Sequence, residues 1–499
     1  MNRALVANIL GKCLSALMML ISLPFLIDAI GSSGYALVGL FTAIQSVLML
    51  LDGGISASYT KNISSAYIRG NNEFAKVLMR QNFFTFFKVS LLLFFISLVL
   101  FSYFSRMHGE SLFITNVMMS ASLALIFFQI YYQATLCGTG NQVGFNQLYF
   151  SFSIVRYPVA TFVILKFELN ITAYFLIFLV VNVIYISALR LLSRNNVFNS
   201  TLKYSNSAES LVVNDGVDGV DGVDGVDAVE DNDFKKKMLL IVVMSSLCFQ
   251  SDKLILAKFV SSDILGYYSL AFTIASFPMI FTSAFYYYLF PKLVALKASN
   301  QMQRYQTEIT KNSLIMMIGI ASICIYVSMY SKYILLLFFD NDFLVNEVSG
   351  ILKYLILGSL IQGILMIPYC AQLAYGKISY LVKVNVFLGV IMIAAQIYAA
   401  SYLTPTDVAK CWLAYNVITL MFVFINIKNV TGIENKFKWM AVGTFFPISI
   451  CILTLLFAHF LLNLLVNINE LFIIIPSGMV SLIAIAIYAL YMMRHIDET

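Results

Sequence analysis

Five ionisable side chains lie deep inside apolar stretches of this sequence, where a charge is expensive to keep. They are Lys12, Asp52, Arg156, Asp252 and Lys253. A charge at the middle of a bilayer costs about 2.5–3.5 kcal/mol on insertion scales, so an ionisable group there is a functional candidate by default. Arg156 is the clearest candidate, because it lies midway along its stretch, two residues before Pro158. The alternative for Asp52 and Asp252 is that each neutralises a basic neighbour and fixes helix packing.

Two polar stripes accompany these charges at helical spacing. One consists of Thr42, Gln45, Asp52 and Ser56, and the other of Ser246, Gln250 and Lys253. Lipid offers no hydrogen bonds, so such stripes are expected to face a bundle interior or an aqueous cavity. We predict one basic cavity for an anionic substrate, with Gln45 and Gln250 among its ligands. Lys12, Arg156 and Lys253 supply its positive charge in this prediction, and Asp52 and Asp252 serve as charge partners or ion-coupling groups.

Fourteen apolar stretches would position these side chains. Hydrocarbon about 30 Å thick is crossed by roughly 20 apolar residues in a helix. The predicted crossings are 5–30, 36–59, 82–104, 113–136, 147–167, 172–192, 238–260, 266–290, 312–329, 352–374, 380–402, 411–427, 440–465 and 471–493. Composition agrees, since 60% of the residues are hydrophobic and 11% are charged, against about 25% charged in soluble domains. We therefore predict an all-α integral membrane protein.

The longest break between these stretches divides the chain. It is acidic and contains a repeated Gly-Val-Asp triplet over 216–227, which is typical of a solvated, self-repelling coil. Faint similarity between the two sides, such as Gly34-Tyr35 and Gly266-Tyr267, favours two pseudo-symmetric halves. We predict a six-helix bundle over 1–192, a cytoplasmic linker over 193–237, a second six-helix bundle over 238–430, and two additional transmembrane helices over 431–499.

Basic residues predict the orientation of the chain. The loops on the same side as the N-terminus hold most of the Lys and Arg, including the run Lys235-Lys236-Lys237. Cytoplasmic loops are the ones that carry such an excess. Both termini are therefore predicted to be cytoplasmic. Trp412 and Trp439 fall at predicted helix starts, where interfacial anchors are common.

Several chemistries are disfavoured by the sequence. It has no Gly-x-x-x-x-Gly-Lys-Ser/Thr phosphate loop, its three histidines are far apart, and its seven cysteines contain no Cys-x-x-Cys pair. We therefore expect no cofactor and no metal site. Scattered basic residues make nucleic-acid binding the weaker interpretation of the net charge of +6. A glycan polymerase or glycosyltransferase would need a large extracytoplasmic domain, and no predicted loop is long enough, so we expect a protein that is not an enzyme.

Two sets of short motifs carry a family resemblance. The first is Leu-Pro-Phe-Leu at 23–26, Gly-Tyr-Ala-Leu-Val-Gly at 34–39 and Leu-Asp-Gly-Gly-Ile-Ser at 51–56; the second is Gln-Ser-Asp-Lys-Leu-Ile-Leu at 250–256, Leu-Gly-Tyr-Tyr at 265–268, Ala-Phe-Thr at 271–273 and Phe-Pro-Lys at 290–292. Together they resemble the opening helix pairs of the two halves in bacterial O-antigen and polysaccharide flippases. These belong to the multidrug/oligosaccharidyl-lipid/polysaccharide exporter (MOP) superfamily. The Gly-Val-Asp linker departs from the family pattern.

The resemblance implies a fold, a cargo and a location. The fold is like that of MATE transporters, with two six-helix bundles around a V-shaped basic cavity. The cargo is an undecaprenyl-pyrophosphate-linked oligosaccharide, moved from the cytoplasmic to the periplasmic leaflet of the bacterial inner membrane. The partners implied are membrane lipids, a polysaccharide polymerase and a chain-length regulator.

Two questions stay open on the sequence alone. The buried acids Asp52 and Asp252 motivate a hypothesis of antiport with H⁺ or Na⁺. The main rival function is a multidrug or cation exporter on the same scaffold. Such an exporter would prefer an acidic cavity, whereas the buried basic residues here favour an anionic cargo.

Overall fold

The computed structural model describes residues 3–52, 55–68, 72–107, 112–204, 243–375, 378–465 and 470–498. Throughout these ranges the chain forms helices joined by short turns, and none of these residues is in a strand. Helices satisfy their own backbone hydrogen bonds, which lipid cannot do, so they are the expected spanning structure. The all-α prediction is confirmed.

The chain divides into two compact units, and the first comprises Met1–Leu239 together with Ser261–Gly266. Its helices are α1 (Arg3–Leu48), α2 (Ile55–Ile68), α3 (Asn72–Met107), α4 (Phe113–Gly138), α5 (Gln142–Ile154), α6 (Ala160–Lys166) and α7 (Ile171–Tyr204). A 3₁₀ turn over Met49–Asp52 follows α1, and a π-helical turn over Val155–Val159 joins α5 to α6. Helix α4 packs against α2, α3 and α7, while α1 packs against α5 and α6.

The second unit comprises Leu240–Val260 and Tyr267–Thr499. Its helices are α8 (243–259), α9 (Ser262–Ser276), α10 (Met279–Ala298), α11 (Met302–Leu336), α12 (Asp342–Tyr375), α13 (Ile378–Tyr402), α14 (Pro405–Thr431), α15 (Lys436–Met440), α16 (Phe446–Leu465) and α17 (Glu470–Glu498). The first residues of α9 belong to the first unit. A second π-helical turn, Ala441–Phe445, joins α15 to α16. Helix α12 packs against α10, α11 and α14, and both α16 and α17 pack on α11. The predicted domain boundaries stay predictions, and most of the predicted linker lies outside the described residues.

The first predicted crossing and most of the second form one long helix, α1, which is kinked between them. Gly31 has φ 74° and ψ 170° inside α1, a conformation that glycine adopts without the steric penalty of a Cβ. The described residues contain 11 helices long and apolar enough to cross a membrane, or 12 with the bent pair α9 and α10. Counting the two arms of α1 separately and adding α8 accounts for the fourteen predicted crossings.

Large apolar side chains cover much of the outer surface of these helices. Phe84, Val99, Phe162, Leu453 and Ile487 are all exposed, as are many others of their kind. Soluble monomers rarely expose contiguous apolar patches of this extent, whereas lipid is the natural neighbour of such a surface. The chain is a multi-pass membrane protein.

Candidate functional site

Arg156 is held by the π-helical turn between α5 and α6. Pro158, within that turn, has no N–H to donate to the preceding turn, and the helix widens there into i→i+5 pairing. Single π-helical turns inside α-helices are frequent at functional sites. The side chain of Arg156 is only 8% exposed, so its charge is held inside the first unit.

Arg156 borders a cavity of about 280 Å³ enclosed by the helices of the first unit. We call it the Arg156 cavity; its polar lining includes Gln45, Gln129, Gln133, Tyr149, Tyr157 and Thr161. Among the described residues that line it, Arg156 is the only formally charged side chain, and the others are apolar groups, amides and hydroxyls. Amides and hydroxyls can donate to an anion as well as accept from a sugar hydroxyl.

The guanidinium of Arg156 has neutral partners. Its Nη2 donates to Asn182 Oδ1 at 2.5 Å, and Gln129 Nε2 donates to the same oxygen at 3.1 Å. Its Cζ lies 5.2 Å from the ring centroid of Phe178 and 5.9 Å from that of Tyr185. Among the described residues, no carboxylate oxygen lies within 4.0 Å of the guanidinium. Its positive charge is thus not neutralised by an ion pair in this part of the chain.

Three buried polar atoms around Arg156 lack a hydrogen-bond partner among the described residues. They are Arg156 Nε, Asn182 Nδ2 and Tyr185 Oη, and we call them the donor cluster. A buried donor left unpaired costs about 1–3 kcal/mol. Arg156 and Tyr185 line the Arg156 cavity, whereas Asn182 does not, so a ligand there with negative charge and several acceptor oxygens would bond to the guanidinium and to the Tyr185 hydroxyl.

A second cavity, of about 320 Å³, lies inside the second unit. Its lining residues include Trp412, Tyr415, Gln362 and Gln372, and none of the described lining residues is Asp, Glu, Lys, Arg or His. We call it the Trp412 cavity. These two cavities differ in chemistry: the described lining of the Arg156 cavity contains a cation, and that of the Trp412 cavity contains no formal charge.

The predicted site residues of the first unit have three different placements. Gln45 lines the Arg156 cavity, as predicted for a residue on the polar stripe of α1. Asp52 accepts from the backbone N–H of Ser56 at 3.0 Å and from its hydroxyl at 2.6 Å, so its carboxylate caps the first turn of α2. Lys12 lies on α1, and its side chain falls outside the described residues.

The predicted site residues of the second unit, Gln250, Asp252 and Lys253, are buried on α8, each 4% exposed or less. Asp252 accepts from Tyr268 Oη and from the Lys253 backbone N–H, both at 2.7 Å. The ammonium of Lys253 lies 3.8 Å from the ring centroid of Phe272, which is a close cation–π contact. None of the three α8 residues lines the Arg156 or Trp412 cavity, so their role as ligands stays a prediction.

Sequence reasoning missed Asn182, Tyr185 and Trp412. Asn182 is a single amide within an apolar run of α7, and an isolated amide at that depth is itself a signal of a polar interior contact. Trp412 and Trp439 are 5% and 3% exposed. Both tryptophans pack inside the second unit, and their position at the membrane interface stays a prediction.

No family model and no curated protein sequence matches this chain, but solved structures of transporters do. One is the lipid II flippase MurJ in an inward closed conformation, with TM-score 0.62 and 14% identity, covering 96% of this chain and 97% of that one. A second is the inward-facing conformation of a multidrug resistance MATE family transporter of the MOP superfamily, with TM-score 0.61, 10% identity and coverage of 84% and 96%.

A third structural match is a MOP superfamily transporter from Pyrococcus furiosus, described as having a binding pocket of reverse polarity that suggests a different function. Its TM-score is 0.53 at 10% identity, covering 86% of this chain and 95% of that one. Identities this low show the fold alone. The chain has the fold of MOP superfamily transporters, which confirms the predicted MATE-like, all-α fold class.

Proposed function

We propose that this chain is a flippase for an anionic lipid-linked oligosaccharide. The cargo is an undecaprenyl-pyrophosphate-linked O-antigen or polysaccharide repeat unit. It moves by alternating access from the cytoplasmic to the periplasmic leaflet of the bacterial inner membrane, and the chain transports this cargo without chemical change. A polysaccharide polymerase and a chain-length regulator act on the delivered unit.

The observation that carries this proposal is the cation of Arg156, which borders a cavity and has no carboxylate partner among the described residues. A pyrophosphate that enters hydrocarbon unaided meets a large desolvation cost. Arginine offers five N–H donors in a planar fork that matches phosphate oxygens, and the Nε donor of Arg156 has no partner in the part of the chain that the structure describes. The hydroxyl of Tyr185, which also lines this cavity, supplies one more position for a phosphate oxygen.

The rival function is export of cationic drugs, because multidrug transporters share the fold. A buried cation is stabilised by carboxylates or by aromatic faces, and repelled by a fixed positive charge. Among the described residues that line the Arg156 and Trp412 cavities there is neither Asp nor Glu, and Arg156 supplies a positive charge. The charge inside the first unit therefore favours an anionic cargo over a cationic drug.

Transport in proteoliposomes tests the proposal. A fluorescent undecaprenyl-pyrophosphate-linked oligosaccharide is incorporated into the vesicles. A membrane-impermeant quencher then shows what fraction of it lies in the outer leaflet. Arg156→Gln removes the charge and is expected to slow translocation about 10- to 100-fold, since a hydrogen bond to a charged group contributes about 1.5–3 kcal/mol. Arg156→Lys keeps the charge but loses the fork, so we expect an intermediate rate.

Arg190→Gln is the matched control, because Arg190 is an exposed arginine on α7 that does not line the Arg156 cavity. We expect it to transport at nearly the parent rate. Equal rates for Arg156→Gln and Arg190→Gln would refute the assignment of Arg156. Uptake of a cationic dye without flipping of the pyrophosphate lipid would favour the drug exporter.

The proposal includes antiport with H⁺ or Na⁺, because a buried carboxylate is the group that such exchange requires. Asp252 is 2% exposed and is hydrogen-bonded through Tyr268, which makes it the first residue to substitute. Transport rates that do not change with an imposed H⁺ or Na⁺ gradient would refute this part of the proposal.

A further inference from the structure

The Trp412 cavity combines aromatic surfaces with amides that have unused hydrogen-bonding capacity. Its walls come from α8, α12, α13 and α14. A volume of about 320 Å³ falls within the range of small-ligand pockets, which is about 300–1,000 Å³. None of the described residues that line this cavity carries a formal charge, so its chemistry differs from that of the Arg156 cavity.

The aromatic wall of this cavity is fixed by close packing. The ring of Trp412 stacks on Tyr415 with centroids 5.9 Å apart and an interplanar angle of 23°. Phe249 meets the same indole edge-on at 5.6 Å. A Cβ added at Gly358 would lie 2.5 Å from Trp412 Cδ1, so the glycine is what allows the indole to approach α12. The wall is thus held in place before any ligand arrives.

The amides of α12 are left unpaired at this cavity. Gln372 is 1% exposed, and neither its Nε2 nor its Oε1 has a partner among the described residues. Gln362 Oε1 is likewise unpaired among them. Two other polar groups of the lining already donate within α14: Asn416 Nδ2 to the Trp412 carbonyl at 2.9 Å, and Thr419 Oγ1 to the Tyr415 carbonyl at 2.7 Å.

These open groups define the ligand class. A free amide N–H₂ and free amide oxygens require a partner that both donates and accepts, and a hydroxyl does both. An anion would leave the oxygens unpaired, a cation would leave the N–H₂ unpaired, and an acyl chain would satisfy neither. A ring that carries hydroxyls at its edge and C–H groups on its face matches the amides and the aromatic wall together.

We propose that the Trp412 cavity is a binding site for an uncharged sugar unit. The inference rests on the proposed function, since it assigns the glycan part of the same cargo to its own site. Hydroxyls of the sugar bond to Gln372 and Gln362, and the C–H face of its ring lies against the aromatic wall.

Trp412 provides a direct readout of this site. The chain has two tryptophans, and Trp439 donates its Nε1–H to Ser313 at 2.8 Å, outside the Trp412 cavity. In Trp439→Phe, all tryptophan emission comes from Trp412. The protein is reconstituted into liposomes of zwitterionic lipid, which contain no other tryptophan and no competing glycosidic detergent. Neutral di- and trisaccharides of hexose and N-acetylhexosamine are titrated, with inorganic pyrophosphate and decanol as separate probes.

We expect a saturable change in emission with neutral saccharides and none with pyrophosphate or decanol. Gln372→Leu should weaken saccharide binding about tenfold, because it leaves a sugar hydroxyl unpaired. The matched control is Gln396→Leu, a buried glutamine of the same unit that accepts from Ser251 at 2.7 Å and does not line this cavity. If Gln372→Leu fails to fold, Gln362→Leu replaces it.

Absence of a saturable saccharide response would overturn the inference. So would an equal response to decanol, or affinity unchanged in a folded Gln372→Leu or Gln362→Leu protein. Pyrophosphate binding and its loss in Arg156→Gln are measured separately by calorimetry. Failure of that measurement with an intact saccharide response would count against the flippase proposal and leave the sugar site standing.

Discussion

The donor cluster around Arg156 gives opposite expectations for stability and for binding. Tyr185 is 1% exposed and its hydroxyl has no partner among the described residues. Replacing an unpaired buried polar group by an apolar one of the same shape is neutral or stabilising. We therefore expect Tyr185→Phe to keep or raise the melting temperature of the empty protein, while it weakens pyrophosphate binding about three- to tenfold.

Tyr59→Phe is the matched control for this prediction. Its hydroxyl lies 2.9 Å from Thr135 Oγ1, so the same change removes an existing hydrogen bond that contributes about 0.5–1.5 kcal/mol. We expect a lower melting temperature and unaltered pyrophosphate binding, measured by thermal unfolding in nanodiscs and by calorimetry. A Tyr185→Phe protein that melts well below the parent and binds normally would contradict the role given to this hydroxyl.

Single residues also show how far the sequence could lead. A charge deep in an apolar stretch is visible from sequence, and both Arg156 and Lys253 were found that way. Their surroundings were not visible, because the face that a helix presents to its neighbours depends on tertiary packing. Arg156 borders a cavity, whereas Lys253 lies against Phe272. Asn182 and Tyr185 on α7 were missed for the same reason.

The start of α2 depends on Asp52, and this allows capping to be separated from ion coupling. Asp52 accepts from the Ser56 N–H, one of the backbone donors that a helix start leaves unpaired. Loss of such a cap costs about 0.5–2 kcal/mol. In Asp52→Ala we expect faster hydrogen exchange at the Ser56 amide and a lower melting temperature. Asp52→Asn keeps an acceptor oxygen and should stay near the parent on both measures.

The same pair of variants bears on the hypothesis of antiport. Asp52→Asn removes the carboxyl group that could exchange a proton but keeps the oxygen that caps α2. If Asp52 has only this structural role, the Asp52→Asn protein transports at the parent rate. Transport that becomes independent of the imposed ion gradient in Asp52→Asn, with unchanged Ser56 exchange, would instead make Asp52 a coupling residue. If hydrogen exchange at the Ser56 amide is as slow in Asp52→Ala as in the parent protein, Asp52 does not act as a cap.

Helix irregularities were only partly readable from sequence. The break between the first two predicted crossings fell at Gly31, where the helix does kink, because glycine at a gap between apolar runs is a strong local signal. The π-helical turn at Val155–Val159 was marked only by Pro158. A proline predicts a disturbed helix, but whether it widens into a π turn depends on what the freed groups meet.

The number of crossings could be predicted from the sequence, because bilayer thickness sets the length of each apolar stretch. The cavities could not be predicted from the sequence. Each is built from helices far apart in the chain, such as α1 and α7 around Arg156 or α8 and α14 around Trp412. Periodicity names the polar face of one helix, and only packing determines which faces meet.

Orientation in the membrane remains a prediction for the whole chain, and the turns at the two ends of α11 test it. The basic residues place the N-terminal end of α11 in the cytoplasm and the turn after it outside. Gln303 is exposed at the first end and Asp340 after the second. In a background without native cysteines, we expect a membrane-impermeant maleimide to label Asp340→Cys in intact inner-membrane spheroplasts, and to label Gln303→Cys only after permeabilisation. The reverse pattern would place both termini outside, because the predicted number of crossings is even. It would also reverse the direction of transport in the proposed function, since the cytoplasmic leaflet is where the cargo is expected to be loaded.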